Sequence, residues 1–133
     1  MNNLEPTPHS GSALLGVAAG LGFLAVAIGA FGAHGLDGRL DAEQLDWYQT
    51  GAYYQLVHAV MAVVCVALSA RFGARCTTAG WLMSAGAVVF ASTLYALAFG
   101  APRVLGAVTP IGGVLMLGGW AQLAWAALRV GRP

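Results

Sequence analysis

Four stretches with almost no formal charge alternate with short polar or arginine-bearing breaks along this chain. They cover residues 13–31, 52–70, 78–99 and 110–129, the last closing on Arg129. At ~1.5 Å of rise per residue, each makes a helix of roughly 30 Å, the thickness of a bilayer's hydrocarbon core. The pattern predicts an all-α fold, an integral membrane four-helix bundle with short loops, forming a single transmembrane domain over residues 1–133. Residues 1–12 are polar, contain two prolines and lack Lys or Arg. They are expected to form a flexible N-terminal tail. A cleaved signal peptide is disfavoured, because no positive charge precedes an apolar run longer than the usual ~7–15 residues.

The breaks carry their own signals. Gly32 and Gly35 flank Ala33-His34 at the end of the first run, and Gly35 suits a left-handed C-cap there. Asp37, Asp41, Glu43 and Asp46 follow, four of the chain's five acids. Asp41 with Gln44 three residues later predicts a capping box that starts the second helix near Ala42. Trp47, Tyr48, Tyr53 and Tyr54 fit an aromatic belt at that level. Arg71 and Arg75 close the second run, and Gly100-Ala101-Pro102-Arg103 breaks the chain after the third. Thr109-Pro110 reads as N-cap plus first-turn proline of the fourth helix, with Gly112 and Gly113 just inside it. The sequence Ala-Phe-Gly-Ala closes both the first run, at 30–33, and the third, at 98–101. This is a weak hint of two repeated helix pairs.

Composition narrows the class further. Apolar residues make up 59% and charged residues 8%, against about 25% charged in soluble domains. The net charge of +1, with no lysine, leaves no basic surface for nucleic acid. Cys65 and Cys76 form no CxxC and have no second pair to close a metal site, and no metal or cofactor is expected. Gly16 and Gly20, continued by Ala25 and Gly29, give a small-residue stripe on the first helix, expected to pack inside the bundle, with a dimer interface as the alternative. Arginine counts orient the chain. With both termini cytoplasmic, the inner side holds Arg71, Arg75, Arg129 and Arg132, and the outer side holds Arg39 and Arg103.

The stretch Gly29-Ala30-Phe31-Gly32-Ala33-His34-Gly35-Leu36 resembles the signature of a family of small membrane proteins of unknown function. That family includes bacterial uncharacterised inner-membrane proteins and transmembrane protein 256. Tyr54-Gln55-Leu56-Val57-His58-Ala59, the 90–97 stretch, Thr109-Pro110-Ile111-Gly112-Gly113 and Gly119-Trp120 fit the same family in order and spacing. The resemblance implies a four-helix membrane fold in the inner membrane and carries no activity with it.

Chemistry-bearing residues are few. His34 and His58 fall in the same predicted membrane half, and a pair of histidines on two helices could clamp a haem iron. The plainer expectation is that His58 hydrogen-bonds across the bundle to Tyr95 or Ser92 and that His34 caps a helix end. Tyr54, His58, Met61 and Cys65 share one face of the second helix, and Ser84, Ser92 and Tyr95 make a polar stripe on the third. Tyr54, His58, Ser92 and Tyr95 are therefore the candidate lining of a polar cavity. No Ser/His/Asp set, HExxH, nucleotide loop or EF-hand pattern is present, and no acid lies inside a span. The expected protein is non-enzymatic. It would be an accessory or structural subunit that packs in the lipid bilayer against a larger membrane complex or against copies of itself. The alternative is a binding or transport module for a quinone, a lipid or a proton, using Tyr54, His58 and Tyr95.

Overall fold

The computed structural model describes residues 8–130 as four α-helices joined by short connections, with no strand among the described residues. The helices are α1 (Pro8–Gly35), α2 (Ala42–Phe72), α3 (Ala74–Ala98) and α4 (Thr109–Val130), with a 3-10 helix, Arg103–Ala107, leading into α4. All four are long and apolar enough to cross a membrane. The expected tail is in part helical, because α1 already starts at Pro8. Residues 1–7, where the rest of that tail was expected, lie outside the described residues.

Local chemistry accounts for the helix ends. Asp41 accepts the Gln44 amide at 2.8 Å while the Gln44 side chain accepts the Asp41 amide at 3.0 Å, the predicted capping box. α2 and α3 are separated only by Gly73, whose φ of +74° reverses the chain between them. α3 ends in a Schellman motif: Gly100 takes φ +91° and donates to Leu97 O, and Ala101 donates to Ala96 O. Pro102 then prevents continuation.

Two expected caps differ. Gly35 remains helical, and the left-handed position after α1 is Gly38, at φ +71°. The chain turns there because Leu36 O accepts from both Arg39 N and Leu40 N. Thr109 is the first residue of α4, and its hydroxyl bonds Thr93 on α3 at 2.9 Å instead of capping. The two Ala-Phe-Gly-Ala stretches also part company. Gly32 lies within α1, whereas Gly100 is the left-handed residue beyond α3.

The bundle is built around α3, half of whose span is buried. α2 and α4 pack along it, α1 packs mainly on α2, and among the described residues the backbones of α1 and α4 do not approach each other closely. Glycine sets the close approaches, as bilayer packing favours. A Cβ at Gly112 would lie 2.5 Å from the Phe90 amide nitrogen and 2.7 Å from Gly86 O. One at Gly80 would lie 2.7 Å from Leu14 and 3.1 Å from the Cβ of Cys65. The α1–α2 loop and the α3–α4 connection share one end of the bundle, joined by an ion pair of Glu43 with Arg103 at 3.0 Å. The Gly73 turn, with Arg71 and Arg75 beside it, lies at the other.

The small-residue stripe of α1 is divided. Ala25 is buried against the bundle, but Gly16 and Gly20 have no atom within 4 Å of an added Cβ. They lie on the face turned away from α2, contrary to the expectation of internal packing.

Candidate functional site

The polar side chains of the interior form two separate clusters. The first joins α1, α2 and α3. Gln55, 4% exposed, donates from Nε2 to Leu21 O on α1 at 2.9 Å and accepts the Tyr95 hydroxyl of α3 on Oε1 at 2.8 Å. One amide thus ties three helices, which suits its two-sided donor and acceptor character. A layer further out, the Tyr48 hydroxyl donates to Ile28 O at 2.7 Å, and its ring lies 5.4 Å from that of Tyr95 and edge-on to Phe99. Tyr48 fits because position 32 is glycine: a Cβ there would be 2.5 Å from the tyrosine ring.

The second cluster faces α4. Trp120 Nε1 donates to His58 Nε2 at 3.2 Å, so that nitrogen carries no proton. The proton sits on Nδ1, which donates to Tyr54 O at 2.8 Å. His58 is 5% exposed and has both ring nitrogens engaged. The Tyr54 ring stacks parallel on it and packs on Phe90. Thr93 and Thr109 bond each other nearby, where α4 begins.

The four candidate cavity residues do not line one space. Tyr95 belongs to the Gln55 cluster and Tyr54 and His58 to the Trp120 cluster, while Ser92 is exposed and donates back to Val89 O. Partners of His58 differ from those expected because Tyr95 packs on Tyr48 and Gly51 and bonds Gln55, all nearer the start of α2, while Ser92 points outward. His58 is the seventeenth of the 31 residues of α2, at its midpoint, because the acidic segment and the span form one continuous helix. His34 is exposed at the end of α1. Gly22 packs on Ala59, and His34 lies twelve residues further along α1, about 18 Å at the helical rise, so the two histidines cannot share one iron. Among the described residues no three His, Cys, Asp or Glu side chains cluster closely enough to hold a metal ion. Of the helix-start residues, Gly112 packs against α3 and Gly113 has open space beside it.

Sequence reasoning gave Gln55 no role and did not pair Trp120 with His58. A glutamine inside a charge-free run is itself a signal, since an amide in hydrocarbon needs an internal partner. The hydroxyl of Ser84, 2% exposed on α3, is the described buried side-chain polar atom without a hydrogen-bond partner.

These contacts predict a stability effect. Gln55→Leu should destabilise the bundle by about 1–3 kcal/mol, since it leaves the half-buried Tyr95 hydroxyl unpaired and removes the tie to Leu21 O. Trp120→Phe should cost closer to the ~0.6 kcal/mol average for an interhelical bond in a bilayer. Unfolding of both variants in mixed micelles measures the order, and a larger effect for Trp120→Phe would contradict it.

Fold and interior together define a four-span, all-α integral membrane protein whose interior polar groups join helices. The chain belongs to the family described as Protein of unknown function (DUF423), whose match covers residues 28–113. It is 47% identical over 112 residues to a UPF0382 membrane protein of Haemophilus influenzae, covering 81% of this chain and 87% of the relative. It is 42% identical over 108 residues to the UPF0382 membrane protein YwdK of Bacillus subtilis, covering 80% and 88%. The UPF0382 inner membrane protein YgdD of Escherichia coli is 38% identical over 112 residues, covering 84% and 86%. No solved structure matches significantly.

Proposed function

We propose that this protein is a non-catalytic subunit of the bacterial inner membrane that packs through α1 against a larger membrane assembly or against copies of itself. The observation that carries this reading is the open face of α1. Gly16 and Gly20 lie there without neighbours, flanked by exposed Leu15, Val17, Phe23 and Leu24. In lipid, helices associate by dispersion and close backbone approach, which a small-xxx-small face permits. α4 does not cover this face, since it lies against α3. The interior favours the same reading, because Gln55, His58 and Tyr95 are engaged in bonds between or within helices. A quinone or proton module built on Tyr54, His58 and Tyr95 would need those bonds to open.

Gly16→Leu with Gly20→Leu tests the reading. The fold should survive, because both positions are open, and association with the partner should be lost. Retained association in a folded double variant would overturn the proposal.

The proposal places both termini in the cytoplasm. Arg71, Arg75 and Arg129 lie at one end of the bundle and Arg39 and Arg103 at the other, a bias that favours the first end as cytoplasmic. Single cysteines at Gly38 and Gly73, introduced with Cys65 and Cys76 replaced by alanine, should be labelled by an impermeant maleimide from opposite sides. Labelling of Gly73→Cys from outside intact cells would reverse the orientation.

A further inference from the structure

At the end that carries Glu43 and Arg103, α2, α3 and the start of α4 enclose an open cleft of about 450 Å³. Its floor is apolar. Phe90, Leu94 and Leu97 line it along α3, with Pro110 of α4 opposite. Phe90 and Leu97 are seven residues apart, so the floor extends about 10 Å along a spanning helix, and therefore along the bilayer normal. The cleft is within the size range of small-ligand sites.

The rim is polar and carries both signs. Arg103 lines the cleft and bonds Glu43 at 3.0 Å, and its guanidinium lies 5.8 Å over the ring of Trp47. The pair is solvent-facing, with side chains 80% and 54% exposed. Exposed pairs of this kind hold together weakly and exchange partners readily. An apolar slot along the bilayer normal, topped by one cation and one anion side by side, complements an amphiphile whose head carries a phosphate and an ammonium.

Head chemistry selects among lipids. A phosphate oxygen pair matches the guanidinium fork of Arg103. A primary ammonium brings three N–H donors to the Glu43 carboxylate, as a lysine ammonium does. A trimethylammonium brings none, and a glycerol head offers hydroxyl donors but no positive charge to balance Glu43 beside the phosphate. Trp47 sits where indole rings settle, at the headgroup level.

We propose that this cleft binds one phosphatidylethanolamine molecule, with an acyl segment on Phe90, Leu94 and Leu97 and its headgroup across Arg103 and Glu43. The lipid then bridges α2 and α4, which otherwise touch each other little.

The test uses the full chain in nanodiscs of equal parts phosphatidylethanolamine, phosphatidylglycerol and phosphatidylcholine. After release into mild detergent, native mass spectrometry counts the lipids retained per protein. One phosphatidylethanolamine should remain, enriched about fivefold or more over each competitor, a difference of about 1 kcal/mol. Glu43→Gln should erase the preference over phosphatidylglycerol, and Arg103→Gln should reduce retention of every phospholipid. Both positions are exposed, so both variants should keep the wild-type helical signal. Retention in bath proportions, no retained lipid, or an unchanged preference in folded Glu43→Gln would each overturn the assignment.

Discussion

Gly112→Val should separate α4 from α3, while Gly113→Val one position along should leave the bundle intact. The difference follows from what each side chain would meet. At Gly112 the obstacles to a Cβ are the Phe90 amide nitrogen at 2.5 Å and Gly86 O at 2.7 Å. Both are backbone atoms of α3, so no rotamer change relieves the clash and the helix axes must move apart. Gly86 shows the reverse side of the same contact, with Gly112 O and Met116 N at 2.7 and 2.8 Å from its own added Cβ. Overpacking costs about 1–3 kcal/mol where side chains can adjust, and the upper end or more is expected here. At Gly113 nothing lies within 4 Å, so the change should stay within roughly 0.5 kcal/mol. Thermal unfolding in a fixed detergent separates the two variants. Equal effects would mean that α4 is rotated from its described position.

Gly32→Val should be the most damaging change within the signature stretch 29–36, and the damage should depend on Tyr48. A Cβ at position 32 would sit 2.5 Å from one ring atom of Tyr48 and 3.0 Å from another. The ring cannot swing away freely, because it is buried, contacts Tyr95 and Phe99, and is tethered through its hydroxyl to Ile28 O. Displacing it loses a buried hydrogen bond and the aromatic contacts together, about 2–3 kcal/mol by the usual magnitudes. In a Tyr48→Ala background the obstacle is gone, so Gly32→Val should cost much less there. The four unfolding measurements form a double-mutant cycle, and the coupling should exceed about 1 kcal/mol. Additive effects would show that Gly32 serves some purpose other than seating Tyr48.

Much of this architecture is legible in the residues. The charge-free runs locate all four spans, because lipid admits few charges and demands satisfied backbone. Asp41 and Gln44 locate the start of α2 because the capping box is a local device with a fixed spacing. Which way a polar residue points is less local. His58 bonds Trp120 and the backbone of Tyr54, not Tyr95 or Ser92, because the rotation of α3 and α4 about their axes decides the partner. A chain this rich in small residues permits several rotations on pattern alone. The same holds for the glycines: Gly16 and Gly20 look inward by spacing and point outward in the fold, whereas Gly112 and Gly113 are adjacent and divide between contact and open space. Residues 42–51, which hold Glu43 and Asp46, form the first turns of one continuous 31-residue helix with the span that follows. Gln55 had a recognisable cue, an amide within an apolar span, but its two partners lie 34 and 40 residues away in sequence.

The account rests on the claim that the interior is a packing device and that the outward face of α1 meets another protein. Gentle extraction from native membranes, followed by native mass spectrometry, tests it most directly. The account predicts that this 13.6 kDa chain travels in fixed integer stoichiometry with a membrane partner or with its own copies, and that the Gly16→Leu, Gly20→Leu chain travels alone. A wild-type chain recovered only as a monomer, at every detergent mild enough to keep known complexes together, would contradict it.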